Sequence, residues 1–413
     1  MTKTLSRRGF LTKAAVLGCS AAASPLLTPV TMASAPGDRR LVVIILRGGM
    51  DGIDVLRPWG DPHFKALRPN LAADQKNNVQ LTDFHGMHKG LKDLMPLWKK
   101  GELGFVQATS TPYRDKRSHF DGQDLLEAGT AELAHLGDRT GWLNRMLPHL
   151  PGAQERTAFA LGREDMLLLT GDAPVSNWSP EVDLTLSAQG LRLLELTMQS
   201  DPAMGAAMAE AIALAGSDGD SVTFDIEGEG MRGMMDEMQS DAQAARKGKP
   251  HLKIADFAAE QLQQETRIAS FSIGGWDTHA NQHRGLNTPL KRLSETILQL
   301  RDKMGPRIWQ QTTVLCMTEF GRTVRENGTK GTDHGTGGTM IMAGGAIKGG
   351  RVYGQWSGLG PTDLYQDRDL MPTSDVRTWA AWAMHDSFGI PQSALERDVF
   401  AGLDMGSSPG LLL

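Results

Sequence analysis

Leu41–Leu46, LVVIIL, running directly into RGGMDG at 47–52, is the stretch from which the rest of the chain is read. Six consecutive apolar residues, mostly β-branched, form a run too short for a buried helix and without the alternation of a half-exposed strand. This is the pattern of a strand buried on both faces inside a parallel or mixed sheet. The glycines after it turn the chain abruptly and leave Arg47 and Asp51 at the strand's carboxyl end.

Runs of the same kind recur along the chain. LGFVQAT at 103–109, RIASFSI at 267–273, TTVLCMT at 312–318 and GGTMIMAGG at 337–345 read as strands, with AFALG at 158–162 as a weaker one. Between them lie helical patterns at 87–101, 118–129, 254–266 and 290–304. Ser118 stands where it would cap the second of these, and Gly129 where it would close it. Strands alternating with helices at this spacing predict a layered α/β fold with a mainly parallel central sheet. Residues 56–78, broken by Pro58, Pro62 and Pro69, read as irregular. A methionine-rich helical stretch is expected as an insertion over 184–266.

Three apolar strands run straight into polar clusters: LVVIIL into RGGMDG, IASFSI into GGWDTH, and VLCMT into EFGR. Carboxyl ends of strands in open α/β sheets face the functional crevice, so Asp51, Asp277, His279 and Glu319 are expected on one rim. GTDHGTGG adds Asp333 and His334 just before the next strand. Carboxylates and imidazoles brought together suit a divalent metal, with zinc favoured by the histidines and Mg, Ca or Mn as alternatives, in one or two ions. The spacing matches neither HExxH, nor a zinc finger, nor an EF-hand loop. A polar hydrogen-bonded network without metal is the alternative use of the same residues.

RDKRSHFDGQD, 114–124, supplies further chemistry. Ser118 is either a nucleophile at a helix start, where free N–H groups favour an anion, or simply a helix cap. His119 and Asp121 could enter the metal site or serve structurally. Arg117 and Arg322 are candidate clamps for an oxyanion, with Arg47 and Arg114 as further possibilities. His283 is a reserve ligand, and Cys316 reads as a core residue.

The chain has 413 residues, of which 40% are hydrophobic and 22% charged, which permits a substantial core and excludes global disorder. Two cysteines exclude a disulfide scaffold. With 43 basic against 48 acidic residues, the net charge of -5 offers no general attraction for nucleic acid. The first 35 residues carry Lys3, Arg7, Arg8 and Lys13 and no acid, followed by a short apolar run ending near TMASAP. SRRGFL at 6–11 resembles a twin-arginine export signal, which implies the export machinery as a partner, a periplasmic location and no stable transmembrane anchor.

LVVIILRGGMDG, RSHFDGQD, GGWDTHANQ, TEFGRT and TDHGTGG together resemble a broad family of bacterial twin-arginine-exported proteins whose core looks like the alkaline phosphatase and sulfatase superfamily. The resemblance implies a three-layer sandwich with helices on both faces of a mainly parallel sheet. It also implies Asp51 as the metal-binding aspartate after the first strand, Ser118 as a hydroxyl nucleophile, Asp277 with His279 as a ligand pair, and Asp333 with His334 as another. Glu319 stands where many relatives have an Asp-His pair. No CxPSR or SxPSR occurs, so a formylglycine nucleophile is not indicated. The expected function is hydrolysis of a phosphate or sulfate ester on an anionic small molecule or polysaccharide. A non-catalytic ligand-binding or accessory protein, or a phospho-group transferase, are the alternatives.

Overall fold

A computed structural model describes residues 38–73, 78–132, 140–150, 152–153, 157–161, 166–178 and 249–413. The expected export signal at 1–35 lies outside them, as does the expected insertion as far as residue 248. By compactness the chain divides into residues 1–178 with 254–413, and residues 179–253. The first unit is built on one nine-stranded sheet.

Its strands are β1 (Arg40–Arg47), β2 (Leu103–Ser110), β3 (Ala158–Leu161), β4 (Ser176–Trp178), β5 (Ile268–Gly274), β6 (Thr312–Met317), β7 (Gly338–Ala343), β8 (Val352–Tyr353) and β9 (Ser374–Asp375). The order is β8-β2-β7-β6-β1-β5-β3-β4, with β9 also on β2. β1 is parallel to both β5 and β6, and only β7 runs antiparallel to its neighbours β6 and β2.

The apolar run of β1 is buried on both faces, as its composition requires. Leu41, Val43 and Ile45 enter one core, and Val42, Ile44 and Leu46 the other. The first core is covered by helix α4 (Val376–Phe388) through Trp379, Ala380 and Trp382. The second is covered by α2 (Pro250–Leu262) and α3 (Asn287–Trp309), through Ala255, Ala259, Leu290 and Leu293. Three layers result, with helices on both faces of a mainly parallel sheet. Ala255, Ala258, Ala259 and Leu262, which fall inside the expected insertion, pack in the second core.

Residues 87–101 form a 3-10 turn, Lys89–Leu94, and a short helix, Met95–Lys99, rather than one amphipathic helix. Pro96 explains the break: it takes the first turn of the second piece and removes a donor from any continuous ladder. Among the described residues no helix is long and apolar enough to cross a membrane.

Candidate metal centre

The parallel strands β1, β5 and β6 end on one edge of the sheet, and β7, running the other way, begins there. Asp277 and His279 follow β5, Glu319 follows β6, and Asp333 and His334 precede β7. The loops after β6 and before β7 pair with each other, with Gly335 N donating to Gly321 O and Gly321 N to Thr336 O. α1 (His119–Ala128) delivers His119 from a further segment.

Ligand atoms of His119, Asp277 and His334 lie within 4.8 Å of one another. Asp277 Oδ1 is 3.5 Å from His119 Nε2, 3.4 Å from His334 Nε2 and 3.0 Å from His279 Nε2. The Nε2 atoms of His279 and His334 are 3.0 Å apart.

Each ring has its other nitrogen tied to oxygen. His119 Nδ1 is 2.8 Å from Glu319 Oε1, His334 Nδ1 is 2.7 Å from the Arg117 carbonyl, and His279 Nδ1 is 3.1 Å from Asp333 Oδ1. A carbonyl or an ionised carboxylate can only accept, so Nδ1 carries the proton in all three rings. In the neutral rings each Nε2 is therefore a lone pair. Three lone pairs and a carboxylate oxygen brought this close repel unless a metal cation or an added ring proton stands among them. His119 Nε2 is buried and has no hydrogen-bond partner among the described residues.

The donor set fits a divalent metal. Bonds of about 2.0 to 2.1 Å at tetrahedral angles place ligand atoms about 3.3 to 3.4 Å apart; the separations of Asp277 Oδ1 from the three rings and of His279 from His334, 3.0 to 3.5 Å, are close to that spacing, and His119, Asp277 and His334 form the group whose ligand atoms all lie within 4.8 Å of one another. The oxygen anchors on Nδ1 match the outer-shell partners that orient metal-binding histidines.

Burial pushes the Glu319 carboxyl up, but hydrogen bonds from His119, Gln123 and the Gly48 amide outweigh it and leave it below its ordinary value. The bond to Glu319 raises His119, while burial lowers His334. Burial also opposes ionisation of Asp277, yet the Arg322 guanidinium, with Nη2 2.5 Å from Oδ1, holds it low. Phe320 stacks on the His119 ring at 5.1 Å and lies 5.1 Å from that of His334, walling one side of the centre.

Several expected site residues have other duties. Asp51 is fully buried in an ion pair, 2.7 Å from Arg68 Nη1. Its oxygens also accept from Gln282 Nε2, Thr332 Oγ1 and the Asp54 amide, so Asp51, expected as a ligand, is surrounded by proton donors and is not in the group of converging ligand atoms. Glu319 stands behind His119 as its acceptor and is not in the group of converging atoms. Arg322 is fully buried, donating to the carbonyls of Gly48, Gly49 and Thr332 as well as to Asp277. It holds Asp277 from behind. Asp121 accepts from the Tyr113 hydroxyl at 3.4 Å and lies outside the cluster.

Ser118 caps α1, its hydroxyl accepting from the Asp121 amide at 3.5 Å, and sits between the carbonyl that holds His334 and the ring of His119. Arg117 is partly exposed, with Nη2 3.5 Å from Asp369 and from Gln366. Gly48 has φ +122°, and a Cβ there would fall 2.7 Å from the Asp277 amide, so only glycine lets the β1 turn pass behind the site.

Gln123, which bridges Arg47 and Glu319, was missed by sequence reasoning. The signal was present: Gln123 is one helical turn after His119 and shares its face.

These features define an α/β protein with a cluster of histidine and aspartate side chains, able to hold a metal ion, at the carboxyl edge of its sheet. The chain belongs to the family described as "Protein of unknown function (DUF1501)", whose model matches residues 38–397. No curated protein matches the sequence. Among solved structures, a protein in the alkaline phosphatase superfamily from Vibrio parahaemolyticus is similar, with 13% identity and a TM-score of 0.32 over 74% of this chain. The match spans 60% of that protein's length. A likeness that low leaves the reading of the site to its own geometry.

Proposed function

We propose that this protein is a periplasmic metal-dependent hydrolase of phosphate or sulfate esters, exported by the twin-arginine route, with one divalent cation held by His119, His334 and Asp277, His279 standing beside them and a position left for the ester. The observation that carries this reading is the convergence of three Nε2 lone pairs on Asp277 Oδ1, each ring fixed by an oxygen on its far side. Imidazole-rich donors favour zinc over magnesium or calcium, which prefer oxygen ligands. A bound cation of this kind supplies Lewis acidity, polarising a phosphoryl or sulfuryl oxygen.

The protein's own residues supply the rest. Arg322 and Glu319 hold Asp277 and His119 in place, and Phe320 keeps water from one side of the rings. The Ser118 hydroxyl, beside His119 in the chain, is the candidate nucleophile; a water is the alternative. Arg117, incompletely engaged by Asp369 and Gln366, is available to an anionic group. Hydrolysis adds water across one ester bond and releases an alcohol with free phosphate or sulfate from a monoester, or with a phosphate monoester from a diester. A hydroxyl acceptor in place of water would make the same site a phospho-group transferase.

The test is metal analysis of the purified chain followed by a panel of phosphate monoesters, phosphate diesters and sulfate esters. About one divalent ion per chain is expected, with turnover of one ester class that is lost in Asp277→Ala and His334→Ala. A chain that takes up no divalent metal, or activity that survives both substitutions, would refute the proposal.

A further inference from the structure

Thr278 stands between Asp277 and His279 in the DTH of one loop, and Thr332 stands before Asp333 and His334 in the TDH of another. Both threonines are buried, while the carboxylates and rings beside them reach partly into solvent. Their hydroxyls converge on one side chain: Gln282 Oε1 accepts from Thr278 Oγ1 at 2.9 Å and from Thr332 Oγ1 at 2.7 Å. On its other side Gln282 Nε2 donates to Asp51 Oδ2 at 2.6 Å and to Asp54 Oδ2 at 2.9 Å.

The amide has one possible orientation. Asp51 is paired with Arg68 and Asp54 with Arg57, each at 2.7 Å, and an ionised carboxylate can only accept. Nε2 must therefore face the acids and Oε1 the hydroxyls, which uses all four hydrogen-bonding positions of the amide. Gln282 is wholly buried, so no water can replace a bond lost there.

The two loops also touch through their main chains. Thr332 N donates to Thr278 O at 3.2 Å and Gln282 N to Lys330 O at 3.0 Å. A Cβ on Gly331 would collide with the His279 carbonyl, so the loops are already in contact. Arg322 ties them a second time, reaching both Thr332 O and Asp277 Oδ1.

We infer that Gln282 is a positioning residue for the metal centre: by anchoring Thr278 and Thr332 to the buried pair of Asp51 and Asp54, it fixes the spacing between the loop of Asp277 and the loop of His334. The inference rests on the reading of His119, Asp277 and His334 as metal ligands and is independent of the ester chemistry. The four side-chain bonds of Gln282 go to none of these ligand residues. It acts through their neighbours, because a metal site works only when its ligands are held within about 0.5 Å of their places by the groups behind them.

The test uses the full chain and three variants: Gln282→Leu, the pair Thr278→Val with Thr332→Val, and the pair Thr278→Ser with Thr332→Ser. The valine pair keeps the volume and removes the hydroxyls; the serine pair keeps the hydroxyls and removes two buried methyls. Zinc affinity is read by competition with a chromophoric chelator. Hydrogen exchange of the metal-free proteins is followed by mass spectrometry over residues 276–283, 328–335 and β1, and thermal midpoints are recorded alongside.

Gln282→Leu and the valine pair should each bind zinc about 10-fold more weakly, as for other losses behind a metal ligand. Both should exchange faster in the two loop segments while β1 stays as protected as in the wild type. The serine pair should melt lower yet keep wild-type zinc affinity and exchange. A purely structural role would make affinity follow the midpoint, with the serine pair as weak as the valine pair. That result, or wild-type zinc affinity in the valine pair, would overturn the inference, and the threonine pairs decide it even if Gln282→Leu does not fold. A wild-type chain that takes up no zinc, with the valine pair still loosening both loops, would support the brace and sink the metal reading. Unchanged exchange in the valine pair would overturn the brace whatever the metal does, so the two failures are distinguishable.

Discussion

Replacing Glu319 by glutamine separates the shape of the site from its charge. The buried carboxylate accepts from Gly48 N at 2.9 Å, His119 Nδ1 at 2.8 Å and Gln123 Nε2 at 3.2 Å on one oxygen. Its other oxygen is 2.9 Å from Thr318 Oγ1. In Glu319→Gln the amide oxygen can keep the first three bonds. The amide N–H can donate to Thr318 Oγ1, whose own proton then goes to the Leu46 carbonyl, 2.9 Å away.

The three donors on the first oxygen keep their acceptor, so the fold should lose the difference between charged and neutral hydrogen bonds and the cost of the second amide N–H, which gains no named acceptor, about 2 to 3 kcal/mol in all. His119 nevertheless loses the negative charge that raises its basicity. Loss of such an outer partner typically weakens metal binding about 10- to 100-fold, equivalent to about 1.4 to 2.7 kcal/mol. Zinc affinity would be read by competition with a chromophoric chelator near neutral pH, with urea unfolding of the metal-free proteins as the control. Glu319→Ala, which strands three donors, should unfold much more readily than Glu319→Gln. Wild-type zinc affinity in Glu319→Gln would refute the assignment of His119 as a ligand oriented from behind.

Arg322→Lys keeps the charge but cannot reproduce a fork that reaches Gly48 O, Gly49 O, Thr332 O and Asp277 at once; a stability loss of about 3 kcal/mol by urea unfolding is expected, with weaker metal binding. Ser118→Ala should cost about 1 kcal/mol as a lost cap, read from the thermal midpoint, whereas a fall in turnover of about 100-fold or more on the active ester would identify the hydroxyl as the nucleophile. Burial raises the Asp54 carboxyl, but the charges of Arg57, His88 and Arg68 and the bond from Gln282 outweigh it and bring it to about 2, below the unfolded value. Its contribution is therefore fully present above about pH 4 and is lost as pH falls through about 2. Asp54→Asn should flatten the acid limb of stability against pH in that window, and an unchanged slope would show that Asp54 does not carry it.

Much of the architecture was written locally. A continuous β-branched run such as LVVIIL cannot expose either face, so burial on both sides and a layered α/β fold follow from composition and length. Ser118 before an amphipathic run and Gly129 after it bounded α1 correctly, because capping is settled by nearest neighbours in the chain. The polar clusters at strand ends pointed to Asp277 and His279, GTDHGTGG to His334, and the separate segment 114–124 to His119 as a residue either entering the site or serving structurally; the structure brings these four side chains together.

What the chain could not disclose locally is which partner each polar side chain meets. Asp51 and Asp277 look alike in sequence, each following an apolar strand. Arg68 and Gln282, from separate segments, close around Asp51 and leave it no open coordination site, while Asp277 has only Arg322 behind it and faces three imidazole lone pairs. Asp333 and His334 reach the rim because β7 runs antiparallel, a consequence of its pairing with β2 and β6 more than 20 residues away in the chain. Strand burial and helix capping depend on short-range sterics and solvation, which the sequence by itself determined; strand direction and ion pairing depend on contacts between distant segments, which only the tertiary structure decided.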